Sequence, residues 1–425
     1  MHDPNELLAQ GPAAAERLAR RRYVLDPAVL EKATRARAET QAEVTRLRTE
    51  LNAISRARGR TRPPSEAEKE TARALRAEVQ QAEAAARTVA AELHEMLLGI
   101  PNIPLDAVPS GSSEKEVVEV RRGGPPPRET GARHHTDIGE SLNILDAQAA
   151  AGLSGARFSV GRGAGARLER ALVDFFLDMH TLEHGYTEYS VPYLVSRDTM
   201  TGTGQLPKFE QDLFRTRVGD REMFLIPTAE VPLTNLLAGR ILDTRDLPYA
   251  FTACTPCFRA EAGAYGQDTR GLLRLHQFEK VELVRICALE DAQEQLDLMV
   301  GHAEECLRRL ELSYRVMLLP AGDLGFSARM TYDIEVWLPG SGTFREVSSV
   351  SDCGTFQGRR ADIRHNGKGG RKNPVATLNG SALPIGRTVA ALLEQGVRED
   401  GSVRIPEALV PYTGFREITP AGAMR

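Results

Sequence analysis

The 425-residue chain is poor in cysteine, with five, in tryptophan, with one, and in aromatic residues generally, at 5%. An odd set of thiols running from Cys254 to Cys353 is no disulfide framework, so free thiols are expected. Cys254-Thr255-Pro256-Cys257 has metal or redox spacing, but no second pair and no His-x-x-x-His follows it. Packing cysteines are expected there, and no zinc. No apolar run approaches the roughly 20 residues of a bilayer span. Met1–Gln10 carries acids and Pro4 in place of a basic stretch leading into an apolar one, so a cytoplasmic location without a membrane partner is expected. A formal net charge of −4 argues against a protein that coats nucleic acid indiscriminately, while leaving room for a local basic surface. Gly161-Arg162-Gly163-Ala164-Gly165 lacks both the Lys-Ser/Thr ending of a P-loop and the acidic ribose ligand of a Rossmann turn.

What is present is 41% hydrophobic and 26% charged residues, the composition of a globular chain of two or three units. Asp26 to Gly99 is rich in Ala, Glu, Arg and Leu. Apolar residues recur at helical or heptad spacing at Leu30, Val44, Leu47, Leu51 and Ile54, and again at Leu75, Val79, Ala82, Ala86, Val89, Leu93 and Leu97. Gly59-Arg60-Thr61-Arg62-Pro63-Pro64 interrupts them, and no continuous helix survives that segment. The pattern predicts two antiparallel helices of roughly 30 residues, each about 45 Å long, forming a coiled-coil hairpin with a thin, alanine-rich seam. Arg56, Arg58, Arg60 and Arg62 cluster at its tip, where they can act as solvated helix-end cations or as a basic fingertip for a phosphate backbone. Proline and glycine then mark a connector between Pro101 and Arg133, which places an N-terminal domain at 1–110 and a second at 111–425. Beyond it, helical signals over Ala166–His184 and Val389–Leu393 alternate with strand signals over Tyr186–Leu194, Glu222–Ile226, Leu247–Phe258, Leu272–Ile286, Thr331–Trp337 and Arg345–Ser348. The fold class expected is α+β, a mixed and mainly antiparallel sheet flanked by helices.

The chemistry-bearing stretch is Phe258-Arg259-Ala260-Glu261, answered after a glycine-rich turn by Arg274-Leu275-His276-Gln277-Phe278-Glu279-Lys280-Val281-Glu282. A hairpin of this kind offers arginines to hold phosphate, a ring to stack on a base and carboxylates to take an amine. Thr377 to Thr388 adds a strand, a glycine turn and Arg387 near the start of an apolar helix, a setting suited to a nucleotide phosphate.

Residues Thr255 to Val284 resemble motif 2 of class II aminoacyl-tRNA synthetases. Thr-Pro-Cys-Phe-Arg, Asp-Thr-Arg-Gly and His-Gln-Phe-Glu-Lys-Val-Glu resemble the seryl-tRNA synthetase version of it. Gly185–Leu194 resembles motif 1, with its proline, and Asn379-Gly380-Ser381 through Gly386-Arg387-Thr388 resembles motif 3, in family order. The helical arm lies where that family carries one, so the resemblance spans nearly the whole chain.

It implies a homodimer whose arms reach the long variable arm of serine tRNA. The implied reaction is activation of L-serine by ATP to seryl-adenylate, followed by transfer to serine tRNA and also to selenocysteine tRNA. Arg259, Arg387 and Glu346 are the implied catalytic residues. Serine would meet Thr228, Ala229, Glu230, Arg259, Glu282 and Ser381. ATP would meet Arg259, Ala260, Glu261, Arg274, Phe278, Glu346, Val347, Ser348, Ser349 and Arg387, with magnesium on Glu346 and Ser349. The implied tRNA-binding residues are Arg56, Arg58, Arg60 and Arg62.

The chain departs from the family pattern at Ala260, Gln267, Asp352 with Cys353-Gly354-Thr355, Gly358, Ala382 and Pro384. Ala382 adds a Cβ where a glycine is usual, and Pro384 removes an N–H and fixes φ. These changes are expected to reshape the pocket wall of an active enzyme, with the corollary of an isoform that excludes seryl-adenylate mimics. Two rival readings are weaker. A carrier-protein ligase is expected to lack the arm, and a binding module without catalysis is expected to have lost ATP ligands that this chain keeps.

Overall fold

The computed structural model describes residues 1–57, 65–112, 115–128, 131, 133–262, 270–420 and 422–425. The chain forms two compact units that divide between Ile103 and Pro104 rather than after residue 110. The physical reason is that Leu105 N–H donates to Arg329 O at 3.0 Å and Val108 is buried in the second unit's core.

In the first unit two short helices, α1 (Pro4–Gln10) and α2 (Pro12–Ala19), pack at the base of two long ones, α3 (Pro27–Ala57) and α4 (Glu66–Leu98). Asp26 starts α3 by accepting from Ala28 N and Val29 N, and Ser65 with Glu68 forms a reciprocal cap at the start of α4. Leu7, Leu18, Leu30, Leu93, Leu97 and Ile100 make the basal core, while farther out the seam narrows to Leu47, Leu75 and Val79, with Leu51, Ile54 and Ala82 half-buried beside them. Arg48 pairs with Glu83 across the hairpin at 2.6 Å, an exposed pair worth under about 1 kcal/mol. Arg56 is exposed; Arg58, Arg60 and Arg62 lie outside the described residues.

The second unit is built on an eight-stranded sheet: β1 (Val118–Gly123), β2 (Thr187–Glu188), β3 (Tyr249–Phe258), β4 (Gln277–Cys287), β5 (Tyr314–Leu318), β6 (Met330–Leu338), β7 (Thr343–Asp352) and β8 (Ala376–Pro384). The spatial order is β1-β5-β6-β7-β8-β4-β3-β2, antiparallel throughout except for the β2–β3 pair. Helices α5 (His135–Ser141), α6 (Ala164–Asp178), α7 (Ala292–Arg309) and α8 (Ile385–Gly396) contribute to a core that includes Leu168, Phe176, Leu296, Leu307, Leu283 and Leu392.

Three sequence expectations are corrected. The strand expected over Tyr186–Leu194 shrinks to Thr187–Glu188 plus a separate Leu194–Val195 strand in a small three-stranded sheet; Pro192 between them has no N–H to give a ladder. The helix expected to reach His184 is α-helical to Asp178 and ends in a π turn over Met179–Glu183. The strand expected from Leu272 begins at Gln277, because Gly271 has φ +87° and the Leu272 and Leu273 backbone is bonded to side chains rather than to a neighbouring strand.

Candidate active site

β3 and β4 pair from Tyr249–Ile286 to Phe258–Gln277, so the hairpin read from sequence is continuous over ten residue pairs. Beyond the last pair, Arg259 N–H donates to His276 O at 2.9 Å, and the His276 Nδ1 contact to Arg259 O is also 2.9 Å. This closure fixes Arg259 at the strand end, where its Nε donates to Pro227 O at 3.3 Å and its guanidinium lies 5.2 Å from the Phe278 ring centroid. Phe278, Lys280 and Glu282 follow at two-residue intervals on one face of β4.

Arg259, Lys280 and Glu282 border an open cleft of about 580 Å³, lined also by Thr228, Glu230, Glu261, Arg274, Asp333, Glu346, Ser349, Asn379 and Ser381 among others. A smaller pocket of about 80 Å³ shares Arg259, Glu261, Arg274, Lys280, Glu346 and Ser381, and adds Phe278, Val347, Pro384 and Arg387. Arg274 is ion-paired to Glu261. Arg387 Nε donates to Leu273 O at 3.0 Å, and its Nη1 donates to Glu346 O at 2.6 Å. The hairpin and the start of α8 therefore present their arginines to one space.

Glu346 and Ser349 are three apart, a spacing that puts residues of a regular strand on opposite faces. A register shift opposite Ile334–Glu335 lets both face the cleft while Val347 and Ser348 are buried. Asp333 pairs with Ser349 in register, its hydroxyl bonds the Asp333 carboxyl, and Asp333 Oδ1 is buried without a partner. Burial and the neighbouring Glu346 push the Asp333 carboxyl well above the usual carboxylate range. The donors here are hard oxygens, the kind a magnesium ion takes.

At the other end of the cleft, Thr228 Oγ1 donates to Glu282 Oε2 at 3.0 Å and accepts from Lys280 Nζ at 3.0 Å and Glu230 N at 3.2 Å. Lys280 also pairs with Glu282, and both are buried. Glu230 Oε1 accepts from Gln357 Nε2 at 2.6 Å and Asn379 Nδ2 at 3.0 Å. Burial, then repulsion from Glu282, pushes the Glu230 carboxyl up to about 7. Two carboxyls facing a small polar recess suit a cationic amine.

Three named residues are not brought to the cleft. Ala229 is fully buried, Ala260 offers its N–H to Asp212 O at 3.0 Å, and Ser348 donates to Ser381 O at 2.6 Å from the buried side of the shifted strand. Lys280 and Asn379 join the site without being among the residues expected there, although the two-residue interval from Phe278 to Glu282 marks Lys280. Gln357 and Asp333 carry no comparable signal, since their place depends on strand pairing.

The departures from the family pattern separate into two groups. Asp352 is buried and bonded to Arg329 at 2.8 Å, and its other oxygen accepts from Gly354 N, away from the cleft lining. Gly358 is enforced by packing, since a Cβ there would lie 2.3 Å from Val375 O. Pro384 belongs to the site's wall, lining the smaller pocket just past the β8–β4 register shift between Ser381 and Leu383, whereas Ala382 is fully buried in the core and lines neither pocket. Gln267 lies outside the described residues, as does most of the loop expected over 262–271.

An antiparallel sheet that carries one arginine on a hairpin and another on the helix after its neighbouring strand is the arrangement that the resemblance to class II aminoacyl-tRNA synthetases implies, and the chain is a member of that class. Residues 209–396 match the family model "tRNA synthetase class II core domain (G, H, P, S and T)", and residues 1–104 match "Seryl-tRNA synthetase N-terminal domain". The chain is 80% identical over all 425 residues to "Serine--tRNA ligase 2" of Streptomyces avermitilis, with full coverage of both chains. It is 49% identical to the Acidithiobacillus ferrooxidans "Serine--tRNA ligase" over 99% of this chain and 100% of that one. Among solved structures it is similar to seryl-tRNA synthetase from Pyrococcus horikoshii complexed with ATP, at TM-score 0.87 and 34% identity, over 99% of this chain and 100% of that one. The chain belongs to the seryl-tRNA synthetase family.

Proposed function

We propose that this enzyme activates L-serine with ATP in the cleft between β3–β4 and β7–β8 and then charges serine tRNA. The observation that carries this reading is the convergence of Arg259, Arg274 and Arg387 beside a recess holding Thr228, Glu230 and Glu282. A serine carboxylate oxygen attacks the α-phosphorus, the O–P bond forms, and the bond to the bridging oxygen breaks as pyrophosphate leaves. The terminal ribose hydroxyl of the tRNA then attacks the seryl carbonyl and AMP departs. No side chain becomes covalently attached, so catalysis is alignment and stabilisation of charge on the phosphorane oxygens.

In this reading Arg259 holds the α-phosphate and the serine carboxylate, Arg387 the γ-phosphate and Arg274 the phosphate tail. Phe278 stacks on adenine, with Glu261 near its amine. Glu346 and Ser349 hold magnesium, which when bound neutralises phosphate charge. Glu230 and Glu282 take the serine ammonium and hydroxyl with Thr228, and Ser381 closes the pocket. Hydrogen-bonding groups left unpaired by alanine set the specificity against it.

The same proposal covers the partners. The arm meets the long variable arm of serine tRNA through the tip arginines, and the enzyme works as a cytoplasmic homodimer. Selenocysteine tRNA, which ends in the same acceptor chemistry, is charged with serine as well. Enzyme mixed with ATP and labelled serine, freed of excess substrate and then given serine tRNA, is expected to transfer label in a single turnover. Absence of a transferable adenylate would overturn the reading.

A finer proposal concerns Pro384, which lines the smaller pocket, and Ala382, buried two residues before it; together they support an isoform tolerant of seryl-adenylate mimics. The double change Ala382→Gly with Pro384→Ala is expected to restore inhibition by a non-hydrolysable mimic. Unchanged inhibition would refute it.

A further inference from the structure

We infer that His135 is a positioning residue for ATP, one that ties the segment carrying Arg274 to the helix carrying Arg387. His135 and Glu394 are completely buried, and the His135 Nδ1 to Glu394 Oε1 distance is 2.7 Å. On the other side of the ring, Nε2 accepts the Leu272 N–H at 3.2 Å. That acceptance fixes the tautomer: Nε2 is the unprotonated nitrogen, so Nδ1 carries the proton and donates it to Glu394. Glu394 is held in turn by His135 N at 3.1 Å and by Gly340 N, which donates to Oε2 at 2.8 Å.

The next residue along completes a second tie to the same helix, because Leu273 O accepts from Arg387 Nε at 3.0 Å. Arg387 and Glu394 both belong to α8, seven residues and about two turns apart. The backbone immediately before Arg274 is therefore stapled to α8 at two points, once directly by Arg387 and once through His135. This also accounts for the late start of β4, since these amide groups are spent on side chains. Gly271 fits the same scheme: at φ +87° it brings the chain so close that a Cβ would lie 2.1 Å from His135 Nε2. His134, His135 and Glu394 stand close enough to be considered as a metal trio. Both His135 nitrogens and both Glu394 oxygens already have protein partners, so the arrangement is a clasp and not a cation site.

The inference rests on the assignment of Arg274 and Arg387 to ATP, and the test separates the two. Serine-dependent exchange of pyrophosphate into ATP would be measured for Arg274→Ala, His135→Ala, His135→Asn, His135→Gln, Glu394→Gln, Glu394→Ala and Gly271→Ala, each well below its own unfolding temperature. His135→Asn keeps a donor near the Nδ1 position but loses the acceptor for Leu272. His135→Gln can do the reverse. Each His135 variant and Gly271→Ala is expected to raise KM for ATP about tenfold, the scale of one lost buried hydrogen bond, while KM for serine stays within about twofold. Glu394→Gln keeps an acceptor oxygen for the His135 proton and is expected to retain wild-type KM for ATP, whereas Glu394→Ala is not. If His135 variants lower only the unfolding temperature, or raise both KM values together, the clasp is structural and the inference fails. If Arg274→Ala also leaves KM for ATP unchanged, the assignment of the ATP site fails with it.

Discussion

Replacing Glu230 by glutamine probes the proposed serine recess most sharply, because the electrostatics there are set by burial. Glu230 is buried with Glu282 nearby, and its carboxyl is raised from 4.5 to about 7. Ionising it in the empty fold therefore costs about 3 kcal/mol more than in the unfolded chain. The sign follows directly. A carboxyl whose value in the fold lies above its unfolded value contributes its full stability below pH 4.5, and that contribution is lost as pH rises through 7. The serine-free Glu230→Gln enzyme should match wild type near pH 4.5 and exceed its stability at pH 8 by up to about 3 kcal/mol. A glutamine oxygen can still accept from Gln357 and Asn379, so the packing is retained. With serine bound as proposed, binding moves the opposite way, since the ammonium would be drawn to the ionised carboxylate. At pH 6 about nine sites in ten carry the proton, so KM for serine in pyrophosphate exchange should be about tenfold higher at pH 6 than at pH 8. The variant should show a raised KM with no slope over that range. A wild-type KM that does not change between pH 6 and 8, or a variant that keeps the slope, would refute the placement of the ammonium.

Phe278→Leu removes the ring beside Arg259 and is expected to raise KM for ATP by the equivalent of about 1–3 kcal/mol with little effect on serine, read from exchange kinetics. Leu75→Ala empties a buried position in the thin seam and should loosen the outer arm; charging of serine tRNA falls while serine-dependent exchange and the melting of the catalytic unit are unchanged. Asp352→Asn weakens the buried pair with Arg329 and should lower stability by about 1–3 kcal/mol in denaturant titration, leaving both KM values as in wild type.

The long elements were legible because their periodicity is strong. The helical arm followed from apolar spacing and the Gly59–Pro64 break, and the ATP-side hairpin from alternation across Phe258 and Phe278. Motif 1 read as a strand because Val191 and its neighbours suit β structure, yet paired backbone is confined to its ends. Glu346 and Ser349 were paired through the family resemblance; the register shift that turns both toward the cleft is a tertiary feature without a local mark. The same holds for Gln357 under Glu230 and for the His135–Glu394 clasp, whose members are separated by 259 positions. Asp352 shows the opposite error. It reads as a change in the pocket because it adjoins a motif, while the fold turns it toward Arg329.

Amino-acid-dependent exchange of pyrophosphate into ATP, run with each of the twenty amino acids in the absence of tRNA, shows which amino acid the recess activates. Exchange is expected with serine and only background rates with alanine and threonine, followed by charging of serine tRNA that collapses when its long variable arm is removed. Exchange with a different amino acid, or none with any, would contradict the assignment of the Thr228, Glu230 and Glu282 recess to serine.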